Sequence, residues 1–506
     1  MSQRFVCGLP LMACVVASIG GGCLDDAVKP PPVPRVARIE ILAPDSEVLI
    51  GHTLQLGIQA FDSGGGNVSA PSVTWESGDP GFITVDSTGL VTATLYSLAG
   101  TFPVYATAAQ PRLVDTFWVR VHLWGEVKWR VPLGVAPVLG GPAQGPDGTL
   151  YVLGEVDTVS FLAATLFAVT PQGHVKWQQR LAKVDGTNYP IVGSDGVVYV
   201  VGQYVWAFNS DGSLRWSLTA RPNDIPDFHA AALSADGVLF AAMGYDLLAL
   251  HAGLGDTVWV GPRAPDAGWL LPPSVSHDRH TAYIKWSAES LYAFDAATGA
   301  HRWAVADPDT IQPERISYGN GPAAFEDVLE VPTAFWLMTV DTSGVMKGVG
   351  PDIGRGVTEP VVGPDGTLYV QLPHTYGLHA LRPVTTQLWQ ALGYRTTQTW
   401  SGGPALAQGG ILDLATTGAF YSLQLLNTGV AVRWRYPKTD SLHFEGAPLI
   451  GPDGTVYTFT SCEYHIINWG PCTDELIAFW DDRPVESSSP WPMWRHDARR
   501  TGQADR

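Results

Sequence analysis

The chain is 506 residues long, more than one ordinary domain holds, so two or more domains are expected. Its 55 Gly and 39 Pro, with 15% charged and 10% aromatic residues, fit an all-β protein crowded with tight turns. A net charge of −18 with no run of Lys or Arg argues against electrostatic binding of nucleic acid or anionic lipid. Beyond the first residues, no apolar stretch approaches the roughly 20 residues that span a bilayer.

Residues 1–22 read as an export signal: Arg4 precedes FVCGLPLMACVVASIGGG, an apolar run ending in small residues just before Cys23. Small residues ahead of a Cys resemble the lipobox of bacterial lipoproteins, which implies that Cys23 is diacylated and becomes the mature N-terminus. Gly20 departs from that pattern, where the family usually has Leu. Leu11-Met12-Ala13-Cys14 fits the box better but leaves too short an apolar region before it. An ordinary cleaved signal with an incidental Cys is the alternative. Several acyl chains on one Cys suffice for stable anchoring, and Leu24, where an Asp commonly retains such proteins in the inner membrane, points to the outer membrane. Cys7 and Cys14 leave with the signal, so of the five cysteines one pair remains, Cys462 and Cys472. An exported compartment is oxidising, and a disulfide between them is expected. A metal reading of the same loop needs more ligands than His465 supplies.

Residues 23–34 form an anchor and linker in which KPPPVP (29–34) is a stiff polyproline II spacer. From Arg35 the pattern changes to strand alternation: Leu54, Leu56, Ile58 and Ala60 face one side, Gln55 and Gln59 the other. Turn signals at 64–66, 78–80 and 87–89 leave room for about seven short strands before His122, which is a sandwich pattern. The order GHTLQLGIQAFD, VTWESGDPGFITVDSTGLVTA, GTFPVYATA closely resembles the group 2 bacterial immunoglobulin-like family over nearly all of 35–122. That resemblance implies an Ig-like sandwich acting as a spacer.

From Pro142 onward the chain repeats itself. GPAQGPDGTLYV (141–152), PIVGSDGVVYV (190–200), ALSADGVLFA (232–241), PVVGPDGTLYV (360–370) and PLIGPDGTVYT (448–458) share one strand–turn–strand plan. LFAVTPQGHVKW (166–177), VWAFNSDGSLRW (205–216), LLALHAGLGDTVW (247–259) and LYAFDAATGAHRW (291–303) share a second, Ala…Gly…Trp. First strands begin at Pro142, Pro190, Ala231, Pro272, Pro322, Pro360, Pro404 and Pro448, a period of roughly forty residues that predicts an eight-bladed propeller over 123–486. The fifth unit has Gly348 where Trp is expected, and the eighth lacks its own Gly…Trp strand. WGEVKWRV (124–131) supplies one from the front of the domain, which predicts that the N-terminal strand closes the ring.

Trp129, Trp177, Trp216, Trp259, Trp303, Trp389 and Trp434 are read as packing residues, each laid on the neighbouring blade over a Gly turn. Ala293-Phe294-Asp295…Thr298-Gly299…Trp303 matches the tryptophan-docking motif of quinoprotein-type propellers. Over 123–486 the chain resembles the pyrroloquinoline-quinone (PQQ)-like repeat superfamily, which spans eight-bladed alcohol dehydrogenases and the propeller lipoprotein of the outer-membrane β-barrel assembly machine. The fold expected for the whole chain is therefore all-β, an Ig-like β-sandwich followed by an eight-bladed β-propeller.

The tail 487–506, with WPMWRHD (491–497), resembles a segment recurring beside these repeats and is expected to pack back on the ring, His496-Asp497 being a candidate for metal or catalysis. Chemistry is otherwise sparse. There are no adjacent cysteines, no CxxCH, no Gly-x-Ser-x-Gly and no HExxH. His277-Asp278-Arg279-His280 stands where other blades have an Asp-Gly turn. No catalytic residue, metal or PQQ cofactor is expected. Loops entering the first strands offer Tyr189, His229, Trp269, Tyr318, Glu359, Trp400 and Glu445 as a possible ligand rim, with a solvated surface as the alternative. The resulting expectation is a monomeric, lipid-anchored outer-membrane module that binds an envelope protein or glycan. The competing reading is a periplasmic PQQ- or metal-dependent oxidoreductase.

Overall fold

A computed structural model describes residues 35–134, 140–155, 163–182, 184, 189–219, 229–243, 246–261, 270–286, 290–308, 321–333, 336–350, 358–372, 377–384, 386–391, 394, 403–416, 418–437, 442–462, 473–493, 495–497, 499–501 and 503. The expectations placed on Cys23, on the Cys462–Cys472 bridge and on Trp269, Tyr318 and Trp400 lie outside the described residues, Cys462 being described only as backbone. Every regular element among the described residues is a strand.

The N-terminal unit holds ten short strands rather than seven, in three sheets around one apolar core that includes Ile39, Leu54, Ala60, Val91, Val104 and Val119. The extra strands arise because the segment read as one alternating strand switches sheets at Leu56. Thr53–Gln55 pairs with Leu90–Ala93, whereas Gly57–Phe61 pairs with Arg38–Leu42. Side-chain alternation survives the switch, with Leu54, Leu56 and Ala60 buried. The Trp75…Gly89 motif is a packing pair: Gly89 has φ +83°, and a Cβ there would lie 2.9 Å from both the Trp75 ring and the Leu56 carbonyl.

Eight four-stranded antiparallel sheets follow. Blade one runs from Ala143–Gln144 to Val175–Ala182, two from Ile191–Val192 to Leu214–Thr219, three from His229–Leu233 to Thr257–Val260, and four from Ser274–Val275 to His301–Ala306. Five runs from Ala323–Phe325 to Met346–Val349, six from Val361–Val362 to Thr386–Ala391, and seven from Ala405–Ala407 to Gly429–Pro437. Blade eight has Leu442–Ile450, Val456–Cys462 and Asp474–Phe479, and its outer strand is Val127–Gly134, with Trp129 opposite Ala478. The strand at the front of the domain therefore completes the last blade, as the missing Gly…Trp unit predicts.

One packing scheme repeats from blade to blade. Opposite each outer-strand Trp lies a small residue: Ala168, Ala207, Ala249, Ala293, Ala380, Ser422 or Ala478. One strand further in stands a Tyr or Phe whose ring centroid is 5.8 to 6.1 Å from that Trp in six blades. The small residue leaves the gap across which the two rings meet. Each Trp then reaches the next blade. Trp129, Trp177, Trp216, Trp259 and Trp303 donate Nε1–H to carbonyls of Pro171, Ser210, Ala252, Ala296 and Thr342 at 2.8 to 3.0 Å. Beneath these rings lie Gly173, Gly212, Gly255, Gly299 and Gly344, where any Cβ would come within 2.7 Å of the indole. Trp434 closes the circle on Gly125, donating to Asp481 Oδ2 at 2.6 Å. Trp389 packs beside Tyr369 in the core shared by blades six and seven.

Candidate functional site

Beside the short inner strands, the backbone carbonyls of Pro142, Pro273, Ala447 and Pro448 accept from arginine side chains of the C-terminal segment. These carbonyls face the C-terminal tail. Val485 bridges to Ala407, Trp491 to Val362 and Gln503 to Val275, while the Val192 and Leu233 amides donate to Arg499 and Thr501 carbonyls at 3.0 and 2.8 Å. The tail thus touches the inner strands of blades two, three, four, six and seven. Its reversals use left-handed backbone at Arg495, His496 and Arg500 (φ 58°, 75° and 61°), conformations a side chain tolerates only where surrounding contacts impose them.

Two guanidinium groups fill the channel. Arg495 is fully buried: Nη1 lies 3.4 Å from Glu359 Oε2, Nη2 donates to the Pro273 carbonyl, and the group sits 5.9 Å from the Tyr189 ring centroid. Glu359 Oε1 also accepts from the Arg495 amide at 2.8 Å and from Trp491 Nε1 at 2.9 Å. Burial pushes the Glu359 carboxyl up, with Arg495 pulling against it. Arg500 donates Nε–H to the Pro142 carbonyl at 2.9 Å and Nη2–H to the Pro448 carbonyl at 3.1 Å. Burial lowers its guanidinium to about 10, opposed by Asp497 and Glu359. A Cβ at Gly141 would stand 2.7 Å from Arg500 Nη2 and one at Gly321 would stand 2.8 Å from Arg495 Nη1, so both channel walls are cut to fit the arginines.

The expected rim is therefore redistributed. Tyr189 and Glu359 are not exposed: Tyr189 donates its hydroxyl to the Ala231 carbonyl at 3.0 Å, and Glu359 is the tail's anion. His229 and Glu445 are described as backbone only, at the inner strands of blades three and eight. His496 and Asp497 are built into the tail's turn, the His496 ring meeting Trp491 edge-on at 5.2 Å and Asp497 accepting from the Thr501 amide at 2.9 Å. The 277–280 segment is an exposed turn, with Asp278 accepting from Ser276 Oγ and Arg279 paired to Asp236 at 2.8 Å. No group of three or more His, Cys, Asp or Glu able to hold a metal occurs among the described residues.

Sequence reasoning missed two buried acids. In blade five Glu330 takes the aromatic position and pairs with Thr339, and in blade seven Asp413 takes it and pairs with Ser422. The Thr339 hydroxyl donates to Glu330 at 2.9 Å, and burial pushes that carboxyl up to about 8. Burial, with Asp481 beside it, also pushes the Asp413 carboxyl up. The available signal was paired: where the Tyr becomes an acid, the facing Ala becomes a hydroxyl.

A family described as outer membrane protein assembly factor BamB matches residues 121–268 and 163–313. Over 121–313 the repeats are similar to that family. Among solved structures, BamB from Moraxella catarrhalis aligns at 14% identity and a TM-score of 0.50, over 70% of this chain and 99% of that one. The C-terminal WD40 domain of Sif2 aligns at 10% identity and a TM-score of 0.50, over 71% of this chain and 100% of that one. A europium-containing methanol dehydrogenase aligns at 14% identity and a TM-score of 0.49, over 70% and 93%. At such identities the likeness to BamB and to Sif2 speaks for the propeller fold alone. No curated protein matches the chain in sequence.

Proposed function

We propose that this chain is a non-enzymatic binding platform of the cell envelope, anchored through Cys23 at the outer membrane, in which an Ig-like stalk carries a propeller that engages a protein or glycan. The observation that carries this reading is the channel filled by the chain's own Trp491, Arg495 and Arg500, all fully buried. A propeller that spends its axis on its own tail has its perimeter and outer face left for partners. BamB-like repeats fit such a role, the matching family being named for outer membrane protein assembly.

Topology supports the orientation. The chain enters the propeller at Gly125 and leaves blade eight at Trp480, and these two residues bond to each other on the face of the inner-hairpin turns. His52 and His122 of the N-terminal unit meet Asp482 and Trp480 on that same face. In sequence, Trp269 lies between the outer strand Thr257–Val260 and the first strand Ser274–Val275, and Trp400 between Thr386–Ala391 and Ala405–Ala407. The test pairs two measurements on the full chain. Mixed with PQQ and Ca²⁺, the protein should show neither quinone absorbance nor reduction of an artificial electron acceptor with an alcohol. Replacing Trp269 and Trp400 together by Ala should abolish crosslinking to an envelope partner while leaving the melting temperature within a degree or two, because such aromatics act as anchors. Dye reduction by the wild type, or unfolding of the double variant, would overturn the reading.

A further inference from the structure

We infer that the joint between the N-terminal unit and the propeller is a proton-operated lock, with His122 as its moving charge. His122 is the last residue of the strand Leu113–His122 and is buried. Its ring lies stacked on Trp480 of the propeller, centroids 4.5 Å apart and planes 16° apart. Each ring nitrogen faces a carboxylate from a different side. Nδ1 is 3.2 Å from Glu126 Oε2, in the turn that opens the propeller, and Nε2 is 3.5 Å from Glu47 Oε2, on the strand Glu47–Leu49.

Charge decides which protonation state the joint favours. Neither ring nitrogen makes a hydrogen bond, so both contacts are ionic, and only the imidazolium carries the positive charge that holds the two carboxylates against the ring. The remaining charges at the joint hold the frame without replacing this one. Arg120 donates to Glu126 at 2.6 Å, leaving the other Glu126 oxygen to the Leu123 amide and to His122. Lys128 lies 4.6 Å from the Trp480 ring centroid and 3.3 Å from Asp453. Asp482 is shared by Arg433 at 2.7 Å and His52 at 3.1 Å, a second imidazole spanning the joint from an exposed position. Glu47 has no cation besides His122 among the ion pairs of the described residues. With His122 protonated, strand, turn and propeller are drawn onto one ring. With it neutral, the Glu47 and Glu126 contacts lose that charge and the joint loosens.

Amide hydrogen exchange on the full chain, corrected for intrinsic rates, tests this at the Gly125, Glu126 and Trp480 amides, which border the joint on the propeller side and donate to the Trp480, Leu123 and Glu126 carbonyls. An imidazole titrates between about pH 5 and 8. Protection at those amides should fall at least tenfold from pH 5 to pH 8, while the strand Gly100–Ala108 holds its protection. His122→Gln should be pH-independent at the joint, and Glu47→Gln, which leaves the ring in place, should move the midpoint to lower pH. Unchanged protection across this range in the wild type, an undiminished fall in His122→Gln, or an unmoved midpoint in Glu47→Gln would each overturn the lock.

Discussion

Gly348 shows how a single residue position carries the propeller's logic. Where six other blades lay a Trp over the next blade's glycine, blade five has Gly348, and blade six answers with Val384 in left-handed backbone (φ 73°). A Cβ on Gly348 would lie 2.4 Å from Val384 Cγ1, so the isopropyl group fills the space the indole would have used. The large and small partners have changed sides and the joint stays filled, as close packing requires. Glu330, in the same blade, replaces the aromatic with an acid whose carboxyl is pushed up to about 8. The sign follows from linkage. Between the ordinary value of 4.5 and about 8 the folded state keeps a proton that the unfolded chain releases, so this group subtracts stability progressively as pH rises through that window. Glu330→Gln keeps an acceptor for the Thr339 hydroxyl and removes the penalty. It should raise the melting temperature by several degrees at pH 8 and by nothing near pH 4, measured by calorimetry at both. Equal melting at pH 8 would show that Glu330 is ionised without cost in the folded ring.

At the scale of elements, the blades were legible in the sequence because each solves one packing problem with the same three residue types. Tyr, Ala and Trp recur at fixed offsets, so the period, the number of blades and the donor of the last strand follow from counting. Ten strands in the N-terminal unit were not legible, because a strand that changes sheets at Leu56 keeps the same alternation of buried side chains as one that does not. The tail's seat was hidden for another reason: Arg495 and Arg500 are held largely by carbonyls, which every residue has and no pattern marks. The closing strand Val127–Gly134 gives the element-scale prediction. It contributes the ladder to Asp474–Phe479 and the Trp129 ring docked on Gly173. Trp129→Ala removes the indole and opens a cavity between blades eight and one, a loss of about 3–5 kcal/mol. The first segments to gain hydrogen exchange should be those of blade eight, Val456–Cys462 and Asp474–Phe479. Uniform loosening of all eight blades would mean that the ring opens elsewhere.

For the whole molecule, closure is secured twice, once at the circumference by the borrowed outer strand and once at the axis by the tail. The two devices act on different coordinates. The strand fixes the order of the blades, while the tail ties the inner strands of opposite blades to one segment, so that blade seven at Ala407 and blade three at Leu233 share a tether. The axial device depends on charge. Arg495 and Glu359 are both completely buried and pair at 3.4 Å. Removing one member of such a pair strands the other's charge in the interior, at a cost of about 3–5 kcal/mol, whereas replacing both leaves no uncompensated charge. Arg495→Met alone should therefore lower the propeller's melting temperature sharply. Glu359→Gln added to it should recover most of the loss, since the carboxamide oxygen introduced there still accepts from the Trp491 indole and from the backbone amide of position 495. Thermal unfolding of the two single variants and the double one closes the cycle, and a coupling on the order of 2 kcal/mol or more is expected. Strictly additive losses would mean that the tail is held by its backbone bridges alone and that the guanidinium fills the channel as volume rather than as charge.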